Sequence, residues 1–253
     1  MVTILTGRVK NASPVSLVLL AKPECGKTSI VCERSFKTAL TLSDCTGRGL
    51  VELCKYHPEV SHFIINDLIP IFSHKNTVSS YTLAILNSMT EEGIQAMAWP
   101  GKVETFEHGK RAVIACCTLE VMNDKRRAWW KTGLASRLLP FAFDHSQNLE
   151  VKIKQMIDTE VVVDEKLTAL RVPDIPVTVE IAPKMTELIR KLADRRSKLL
   201  QDPKGYRRLK QYRTMTKAHA LTRTWKQATV TEQDVQFLAD MDAYVSYTEA
   251  KPL

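Results

Sequence analysis

The stretch V-S-L-V-L-L-A-K-P-E-C-G-K-T-S-I, residues 15–30, decides the fold. Residues 15–20 form an apolar run of the length of a strand, and a loop that contains Gly26 and Lys27 follows at once. After the loop, the sequence predicts a helix from Thr28 to Lys37. In this order, the backbone N–H groups of the loop and the helix N-terminus both present positive charge to a phosphate group. The stretch therefore predicts a phosphate-binding loop between a strand and a helix.

The loop departs at one position from the phosphate-binding pattern G-x-x-x-x-G-K-[ST], because Ala21 stands where the first glycine belongs. Alanine fits this turn if its φ stays negative. Lys27 can reach the β- and γ-phosphates of a nucleotide, and the Thr28 hydroxyl can ligate Mg²⁺. The alternative is a turn at a helix start that contains Gly-Lys-Thr and binds no nucleotide. The predicted nucleotide-binding residues are Ala21, Lys22, Pro23, Glu24, Cys25, Gly26, Lys27, Thr28 and Ser29.

Composition narrows the class of protein. The 253 residues are 44% hydrophobic and 25% charged, which suits one large domain or a large domain with a small satellite. The net charge of +8 favours a polyanionic partner, nucleic acid above all, although many other soluble proteins are basic. The six cysteines form no C-x-x-C pair, so we expect small buried hydrophobes in a reducing compartment rather than zinc ligands.

We expect a cytoplasmic protein without membrane contact. No apolar run approaches the roughly 20 residues of a membrane span, and the N-terminus lacks the layout of a secretion signal. The cysteine pattern, which favours a reducing compartment, points the same way.

Strands and helices alternate over the first half of the chain, which predicts parallel crossovers and a three-layer α/β domain. The predicted strands are 15–20, 39–42, 62–65 and 111–117, the predicted helices are 28–37, 50–56, 79–92, 182–200 and 206–223, and residues 97–110 are a predicted hairpin. A last helix begins with a capping-box spacing from Thr231 to Asp234. The predicted domains are an α/β core at 1–150, a connector at 151–180 and a helical lid at 181–253.

Two strand ends supply candidate catalytic groups. The run H-F-I-I-N-D, residues 62–67, ends in Asn66-Asp67 where a Walker B motif normally ends in Asp-Glu. Asp67 is predicted to position Mg²⁺ or to polarise the attacking water, and its alternative role is to cap the helix that follows. With Asn66 at the first acidic position, we expect slow hydrolysis or binding without much turnover. Thr118 ends another apolar strand and either hydrogen-bonds the γ-phosphate or the attacking water, or is an ordinary strand-end threonine.

Arg137 follows Ser136 and stands directly before an apolar run. Such an arginine can act as a finger on the nucleotide of a neighbouring subunit, where it neutralises charge that develops on the transferred phosphoryl group. The alternative is a surface salt bridge.

In this order, the motifs and the helical tail resemble an AAA+ ATPase, which is a P-loop NTPase with a parallel-sheet core and a C-terminal helical lid. Within that superfamily, the chain is similar to the minichromosome-maintenance type and to related phage-borne helicases. The first likeness runs from M-T-E-E-G-I (89–94) through W-P-G-K (99–102) to A-V-I-A-C-C-T (112–118). The second is R-R-L-K-Q-Y-R-T-M-T-K-A-H-A (207–220) followed by A-T-V-T-E-Q-D-V (228–235).

The resemblance implies a role for each matching residue. The implied roles are Walker A for Lys27 and Thr28, Walker B for Asn66 and Asp67, first sensor for Thr118, finger for Arg137, and second sensor for Arg207 or, alternatively, Arg208. It also implies ATP and Mg²⁺, a nucleotide between core and lid, and a homo-oligomeric ring or filament with shared ATP sites. Ala21 and Asn66 depart from the pattern of the family.

The prediction of DNA binding depends on the lid and on the hairpin. From Lys184 to Lys226, fourteen Lys or Arg stand against three Asp or Glu, which suits contact with phosphate backbones or describes a solvated helix face. Lys102 and Lys110, beside Trp99 and Phe106, are predicted to track a nucleic-acid strand. For Trp129 and Trp130 we expect a core or interface role, with base stacking as the alternative.

Together, these features predict a Mg²⁺/ATP-dependent motor or remodeller on DNA, helicase-like, in replication, recombination or mobile-element maintenance. One alternative is a nucleotide-gated scaffold with little hydrolysis that recruits a protein partner. Another is an AAA+ remodeller of proteins, for which the basic lid would be incidental.

Overall fold

The computed structural model describes residues 2–32, 36–99, 101–106, 110–158, 172–202 and 204–253. Its strands are β1 (Ser16–Leu20), β2 (Ala39–Leu42), β3 (His62–Ile65), β4 (Ala96–Trp99), β5 (Lys102–Thr105), β6 (Ala112–Cys117), β7 (Leu138–Asp144), β8 (Val179–Glu180), β9 (Ala228–Thr229) and β10 (Lys251–Pro252). Its helices are α1 (Val2–Leu5), α2 (Lys27–Cys32), α3 (Gly47–Tyr56), α4 (Ile69–Ser73), α5 (Asn76–Glu91), α6 (Leu119–Thr132), α7 (Leu134–Arg137), α8 (Gln147–Asp158), α9 (Pro183–Leu199), α10 (Tyr206–Ala220) and α11 (Glu232–Asp242), with a 3-10 turn at Thr6–Arg8.

Over the described residues, a six-stranded parallel sheet has the order β10-β7-β1-β6-β3-β2. In its register, Leu19 of β1 lies opposite Cys116 of β6 and Phe141 of β7. An interior parallel strand is covered on both faces, which explains why β1 is a nearly continuous apolar run. The predicted α/β class with a parallel sheet and helices on both faces is confirmed.

Alternate residues of β1 belong to different buried clusters, because successive side chains of a strand point to opposite faces. Val18 and Leu20 share a cluster with Leu50 of α3 and Leu86 of α5. On the other face, Leu19 lines an apolar cavity of about 430 Å³ with residues of α2, α10 and α11. The sheet is therefore the middle of three layers, with α3 and α5 on one side and α2 and part of the lid on the other.

Four helix boundaries differ from the prediction by two residues or more: the end of α2, the starts of α3 and α5, and the end of α10. Helix α2 is described to Cys32, and the predicted extension to Lys37 is wrong, because the chain already turns at Phe36, whose carbonyl oxygen accepts a hydrogen bond from Ala39 N–H at 3.0 Å. Helix α3 begins at Gly47 rather than at residue 50, because Thr46 caps it by accepting a hydrogen bond from Gly49 N–H at 3.2 Å.

The sequence predicted no element between residues 119 and 150, where the structure has α6, α7, β7 and the start of α8. The apolar run after Arg137 is β7, whose first five residues pair with all five residues of β1. Residues 151–158, assigned by the sequence to the connector, complete α8. Residues 159–171 of that predicted connector lie outside the described part of the chain.

The lid consists of α9, α10 and α11, and buried carboxylates join its helices. Asp242 is fully buried and accepts hydrogen bonds from Arg195 and Arg196 of α9, each at 2.8 Å, and from Tyr212 of α10. The predicted capping box is present at the start of α11, where Thr231 N–H donates to Asp234 Oδ2 at 2.7 Å. Across the described ranges, no helix has the length and apolarity needed to cross a membrane.

Candidate functional site

The loop after β1 has the backbone shape that a phosphate cradle needs. Glu24 and Gly26 have positive φ angles of 62° and 69°, and α2 begins at the next residue, Lys27. A Cβ built on Gly26 would have no atom within 4 Å, so open space lies in front of the loop at this point. Ala21 is fully buried and keeps a negative φ, so this position does not need glycine.

The Lys27 ammonium group lies back over this loop. Its Nζ donates to Ala21 O at 2.9 Å and to Lys22 O at 2.6 Å. Both acceptors are neutral carbonyl groups, and a phosphate oxygen is the stronger acceptor for an ammonium group. The lysine is therefore held at the loop by contacts that an anion can replace.

The other predicted residues of this group lie at the same edge of the sheet. In a parallel sheet all carboxyl ends meet at one edge, and β6 lies between β1 and β3. Thr118, after β6, is consequently placed between Lys27 and Asp67, and Asn66 precedes Asp67. Burial, and to a smaller extent the Asp67 carboxylate, raise the pKa of the neighbouring Cys117 thiol to about 12, and Lys27 opposes both effects.

Asp67 and Thr118 also cap helices. Asp67 Oδ1 accepts a hydrogen bond from Ile69 N–H at 2.9 Å, which is the capping role considered as the alternative for this residue. Thr118 Oγ1 accepts from Val121 N–H at 3.3 Å and is the N-cap of α6. Both side chains are half-buried. Their hydrogen bonds to the helix N–H groups hold them at the edge of the sheet.

Asp144 holds the other side of the loop. It is the last residue of β7, next to β1, and its Oδ2 lies 2.6 Å from Lys22 Nζ. Its Oδ1 accepts a hydrogen bond from Cys25 Sγ at 3.5 Å. The hydrogen bond from Lys22, opposed by burial, lowers the pKa of Asp144, which keeps the carboxylate charged. Asp144 was not among the predicted site residues, because β7 was not predicted as a strand.

Arg137 and Arg207 lie together at the opposite edge of the sheet. Arg137 ends α7 immediately before β7, and Leu138 pairs with Ser16 at the amino end of β1. Arg207 Nη1 donates to Ser136 Oγ at 2.8 Å. The five residues of β1, which span about 16 Å, therefore separate both arginines from their own phosphate loop. The structure does not bring Arg207 to the Lys27 end of the sheet.

One carboxylate pairs with both arginines. Glu91 Oε2 lies 2.8 Å from Arg207 Nε and 3.4 Å from Arg137 Nε. Arg137 Nη1 also donates to Gly133 O at 2.7 Å, and a Cβ built on Gly133 would overlap that same nitrogen. Glycine at position 133 therefore leaves room for the guanidinium group. Neither Glu91 nor Gly133 was among the predicted site residues.

Arg208 cannot replace Arg207. Its side chain is fully buried, its Nη1 donates to Gln211 Oε1 at 2.9 Å, and its Nε and Nη2 are buried without a hydrogen-bond partner. Arg207 is about two-fifths exposed at its side chain and faces a cavity. Of the two candidates for the second sensor, only Arg207 can meet a ligand in this conformation.

The candidate DNA-binding residues divide between two places. The predicted hairpin forms from β4 and β5, with Gly101 at its turn at a φ of 77°. Pro100 and the side chains of Trp99 and Lys102 lie outside the described part of the structure. Lys110 lies at the amino end of β6, where its Nζ donates to Ser13 Oγ at 3.3 Å.

The tryptophan pair belongs to the core, as expected. Trp129 is 1% exposed and packs against Phe72 with ring centroids 5.1 Å apart, so base stacking by this residue is excluded. Trp130 is half-buried and meets the Tyr247 ring edge-on. Five of the cysteines, at positions 25, 45, 54, 116 and 117, are buried, as predicted.

Metal binding and similarity to known proteins add little to this geometry. Within the described ranges, no group of three or more His, Cys, Asp or Glu side chains is placed to hold a metal ion. In comparisons with known proteins, no family model and no curated protein matches the sequence. The interpretation of the site therefore depends on the residues and their geometry.

Proposed function

We propose that this protein is a Mg²⁺-dependent AAA+ ATPase that works as an oligomer on DNA. The observation that supports this most directly is the group of residues at the carboxyl edge of the sheet. A loop with two positive-φ residues leads into α2, Lys27 lies over it, and Thr118 and Asp67 end the next two strands. A lysine, a helix N-terminus and polar strand ends on one edge suit a nucleoside triphosphate.

The residues present fit magnesium bound together with a nucleotide. The Thr28 hydroxyl at the start of α2 and the Asp67 carboxylate are oxygen ligands of the kind that Mg²⁺ prefers, and two protein ligands are enough when phosphate oxygens and water supply the rest. Bound Mg²⁺ would neutralise charge on the phosphate oxygens. Asp67 would hold or orient the attacking water, and Lys27 would hold the phosphates.

The two arginines support an assembly with shared sites. Arg137 and Arg207 lie at the amino edge, too far from their own Lys27 to serve the same nucleotide. In a ring or filament, the amino edge of one subunit faces the carboxyl edge of the next, and both arginines then meet the neighbour's phosphates. This arrangement gives Arg137 the finger role and Arg207 the second-sensor role, both in trans.

The charge of the lid supports DNA as the polymer. Helix α10 carries Lys210, Arg213 and Lys217 at intervals of three or four residues, so that they share one face of the helix. Phosphate backbones bind such rows without sequence preference, and added salt weakens the binding. Motor, loader and remodeller activities are all compatible with this contact.

A scaffold with little hydrolysis is the second candidate function. Asn66 replaces the first acidic residue of the Walker B pair, and Asp67 Oδ1 is already engaged with Ile69 N–H. Both observations weaken water activation and leave nucleotide binding intact. A scaffold binds ATP and recruits a protein partner with slow turnover.

The test has two parts. ATP affinity is measured by calorimetry for the wild type, Lys27→Ala and the control Lys37→Ala, which changes an exposed lysine after α2. We expect Lys27→Ala alone to lose binding, because it removes the charge that offsets the β- and γ-phosphates. Wild-type affinity in Lys27→Ala would reject the phosphate-loop assignment.

The second part measures ATP turnover with and without single-stranded and double-stranded DNA. Stimulation by either DNA supports the motor. Tight ATP binding with turnover that DNA leaves unchanged supports the scaffold, and stimulation by an unfolded protein substrate alone supports the protein remodeller.

A further inference from the structure

The apolar cavity on the α2 face of the sheet has the size of a ligand site. Its volume is about 430 Å³. Voids in the interior of a folded domain seldom exceed the size of a water molecule, whereas pockets for small molecules have volumes of about 300 to 1,000 Å³. The cavity is therefore large enough to hold a small organic molecule.

The floor of this cavity is a sheet face that lacks part of its cover. Leu19, Ile64 and Ile114 form the floor, on three adjacent strands of the sheet. Helices α2, α10 and α11 supply the walls, and Ile30 of α2 is 55% exposed there. Interior parallel strands are normally covered by apolar groups on both faces. An apolar occupant would complete the cover of these strands.

One charged group belongs to this apolar surface. Of the described residues that line the cavity, only Asp240 carries a charge. Its Oδ1 accepts a hydrogen bond from the neutral Gln236 Nε2 at 2.8 Å, and no Lys, Arg or His of the described residues forms an ion pair with it. The cavity is thus negative in a protein whose net charge is +8. A carboxylate beside an apolar surface favours a cationic group over a neutral or anionic one.

Two aromatic rings line the same cavity and also favour a cation. Phe237 precedes Asp240 by three residues and Tyr244 follows it by four. The Phe237 ring stacks on His219 with ring centroids 4.1 Å apart, and the Tyr244 ring stacks on Phe141 at 5.1 Å. These contacts hold both rings in place. Aromatic faces attract an ammonium group, as the carboxylate does.

We propose that this cavity binds a small molecule with an apolar body and one ammonium group. The body covers the sheet at Leu19 and Ile114, and the ammonium group meets the Asp240 carboxylate and the neighbouring aromatic rings. Because α2 and the lid helices both form walls, the ligand joins the lid to the helix that begins at Lys27. The inference involves no nucleotide and is independent of the function proposed above.

Three probes with one apolar body and different head groups test the site. Adamantylamine, adamantanol and adamantanecarboxylate are positive, neutral and negative near neutral pH. Each probe is titrated calorimetrically into protein without nucleotide. We expect saturable binding of the amine, about tenfold weaker binding of the alcohol, and still weaker binding of the carboxylate. Absence of saturable amine binding, or equal affinities for the amine and the alcohol, would overturn the proposal.

Asp240→Asn tests the group that selects the ammonium ion. We expect it to lower the affinity for the amine to that for the alcohol and to leave the alcohol unchanged, because only the charge of the side chain is lost. Damage to the fold would weaken both probes, and far-ultraviolet circular dichroism checks for it. Glu52→Gln, which changes an exposed carboxylate paired with Arg48, is the control. Unchanged amine affinity in Asp240→Asn would contradict the assignment.

Leu17→Phe tests the location. Leu17 lies two residues before Leu19 on the same face of β1 and is only partly buried, so a larger side chain takes up space in the cavity. We expect all three probes to bind at least about tenfold more weakly, and equal affinities in this variant would place the probes elsewhere and reject the site. If the amine does not bind the wild type and Leu17→Phe weakens self-association in sedimentation, the cavity is an interface between copies instead.

Discussion

At the scale of single residues, Asp67 has a capping role that the structure shows and a catalytic role that we propose. One substitution can separate the two roles. Its Oδ1 caps α4 through Ile69 N–H, and its carboxylate lies at the edge of the sheet that carries Lys27. An asparagine side chain keeps an acceptor oxygen for the cap but loses the negative charge. The capping and catalytic interpretations therefore predict opposite results for Asp67→Asn.

In the proposed ATPase, Asp67→Asn leaves ATP affinity nearly intact and slows turnover by about 10²-fold or more, because binding depends mainly on the loop while water activation depends on the carboxylate. Steady-state turnover and calorimetry on the same protein measure the two effects. Asp44→Asn, a carboxylate after β2 that pairs with His74, is the control. Wild-type turnover in Asp67→Asn would leave Asp67 with the capping role alone.

His62 is a second residue with a measurable consequence. It is fully buried at the start of β3, with Nδ1 2.9 Å from Ser61 Oγ and Nε2 3.3 Å from Thr6 Oγ1. Burial lowers its pKa to about 3, so the folded protein keeps this imidazole neutral. The unfolded chain binds the proton near pH 6.5, and the free energy of unfolding therefore falls as pH drops below that value.

We expect the contribution of His62 to this fall to reach about 1.4 kcal/mol per pH unit between pH 6 and pH 4. His62→Gln removes the titrating group and flattens the dependence, although it lowers stability at pH 7 because the ring packs in the core. Urea unfolding at several pH values measures the slope. His57→Gln, which changes an exposed histidine, is the control, and equal slopes for wild type and His62→Gln would contradict the prediction.

At the scale of elements, carboxylates hold the lid together. Asp234 of α11 is fully buried and accepts hydrogen bonds from His219 Nδ1 at 2.6 Å and from Arg223 Nη2 at 2.6 Å. Burial opposes its ionisation, but hydrogen bonds from Arg223, Thr231 and His219 outweigh burial and lower its pKa to about 2. Its stabilising contribution is present above the unfolded pKa near 4 and is lost as pH falls towards 2.

We expect Asp234→Asn to lower the free energy of unfolding by about 2 kcal/mol at pH 7, less than for a fully buried pair because Arg223 is one-third exposed. Asp240→Asn, on the exposed side of the same helix, should change stability by less than about 0.5 kcal/mol. Thermal unfolding of both variants measures the difference. Equal stabilities would show that the Asp234 network is replaced by water.

Elements that depend on local sequence signals were predictable from the sequence. The strands β2 and β3, the lid helices and the capping box at Thr231 follow from local apolar patterns and turn residues. β7 was missed because L-L-P-F-A-F contains Pro140, which argues against an interior strand, yet this strand lies between β1 and β10. Charged residues in the middle of α6 masked its apolar stripe, and its Thr118 cap was interpreted only as a strand end.

The candidate site also contains some residues that local sequence signals predict and others that they do not. Lys27, Asp67 and Thr118 each follow a strand, so sequence order was enough to bring them to one edge. The pairing of Glu91 with Arg207 spans 116 residues and depends on how the lid packs on the core, which no local pattern specifies. Asp144 depends in turn on β7, which the sequence did not predict.

At the scale of the whole molecule, the parallel sheet separates two sets of charged groups. Lys27, Asp67 and Thr118 lie at the carboxyl edge, and Arg137, Arg207 and Glu91 lie at the amino edge. In the proposed ATPase, no chain can complete a site by itself.

Mixing two inactive variants tests this arrangement. Arg137→Ala is expected to keep ATP affinity and lose turnover by about 10³-fold or more, while Lys27→Ala loses binding. A mixture contains junctions at which an intact loop meets an intact arginine, so part of the activity should return. The exposed Arg48→Ala is the control for loss of an arginine. A mixture that stays inactive although the variants co-assemble would reject the shared site.

The separation of the two edges also limits the symmetry of any active assembly. The proposed junction joins unlike surfaces and is heterologous, so a two-fold dimer, which joins like surfaces, contains no such junction. A heterologous chain of subunits always ends in one bare amino edge and one bare carboxyl edge unless its rotation closes on itself. A closed ring consequently has one complete site per subunit, whereas an open filament always has one site fewer than it has subunits.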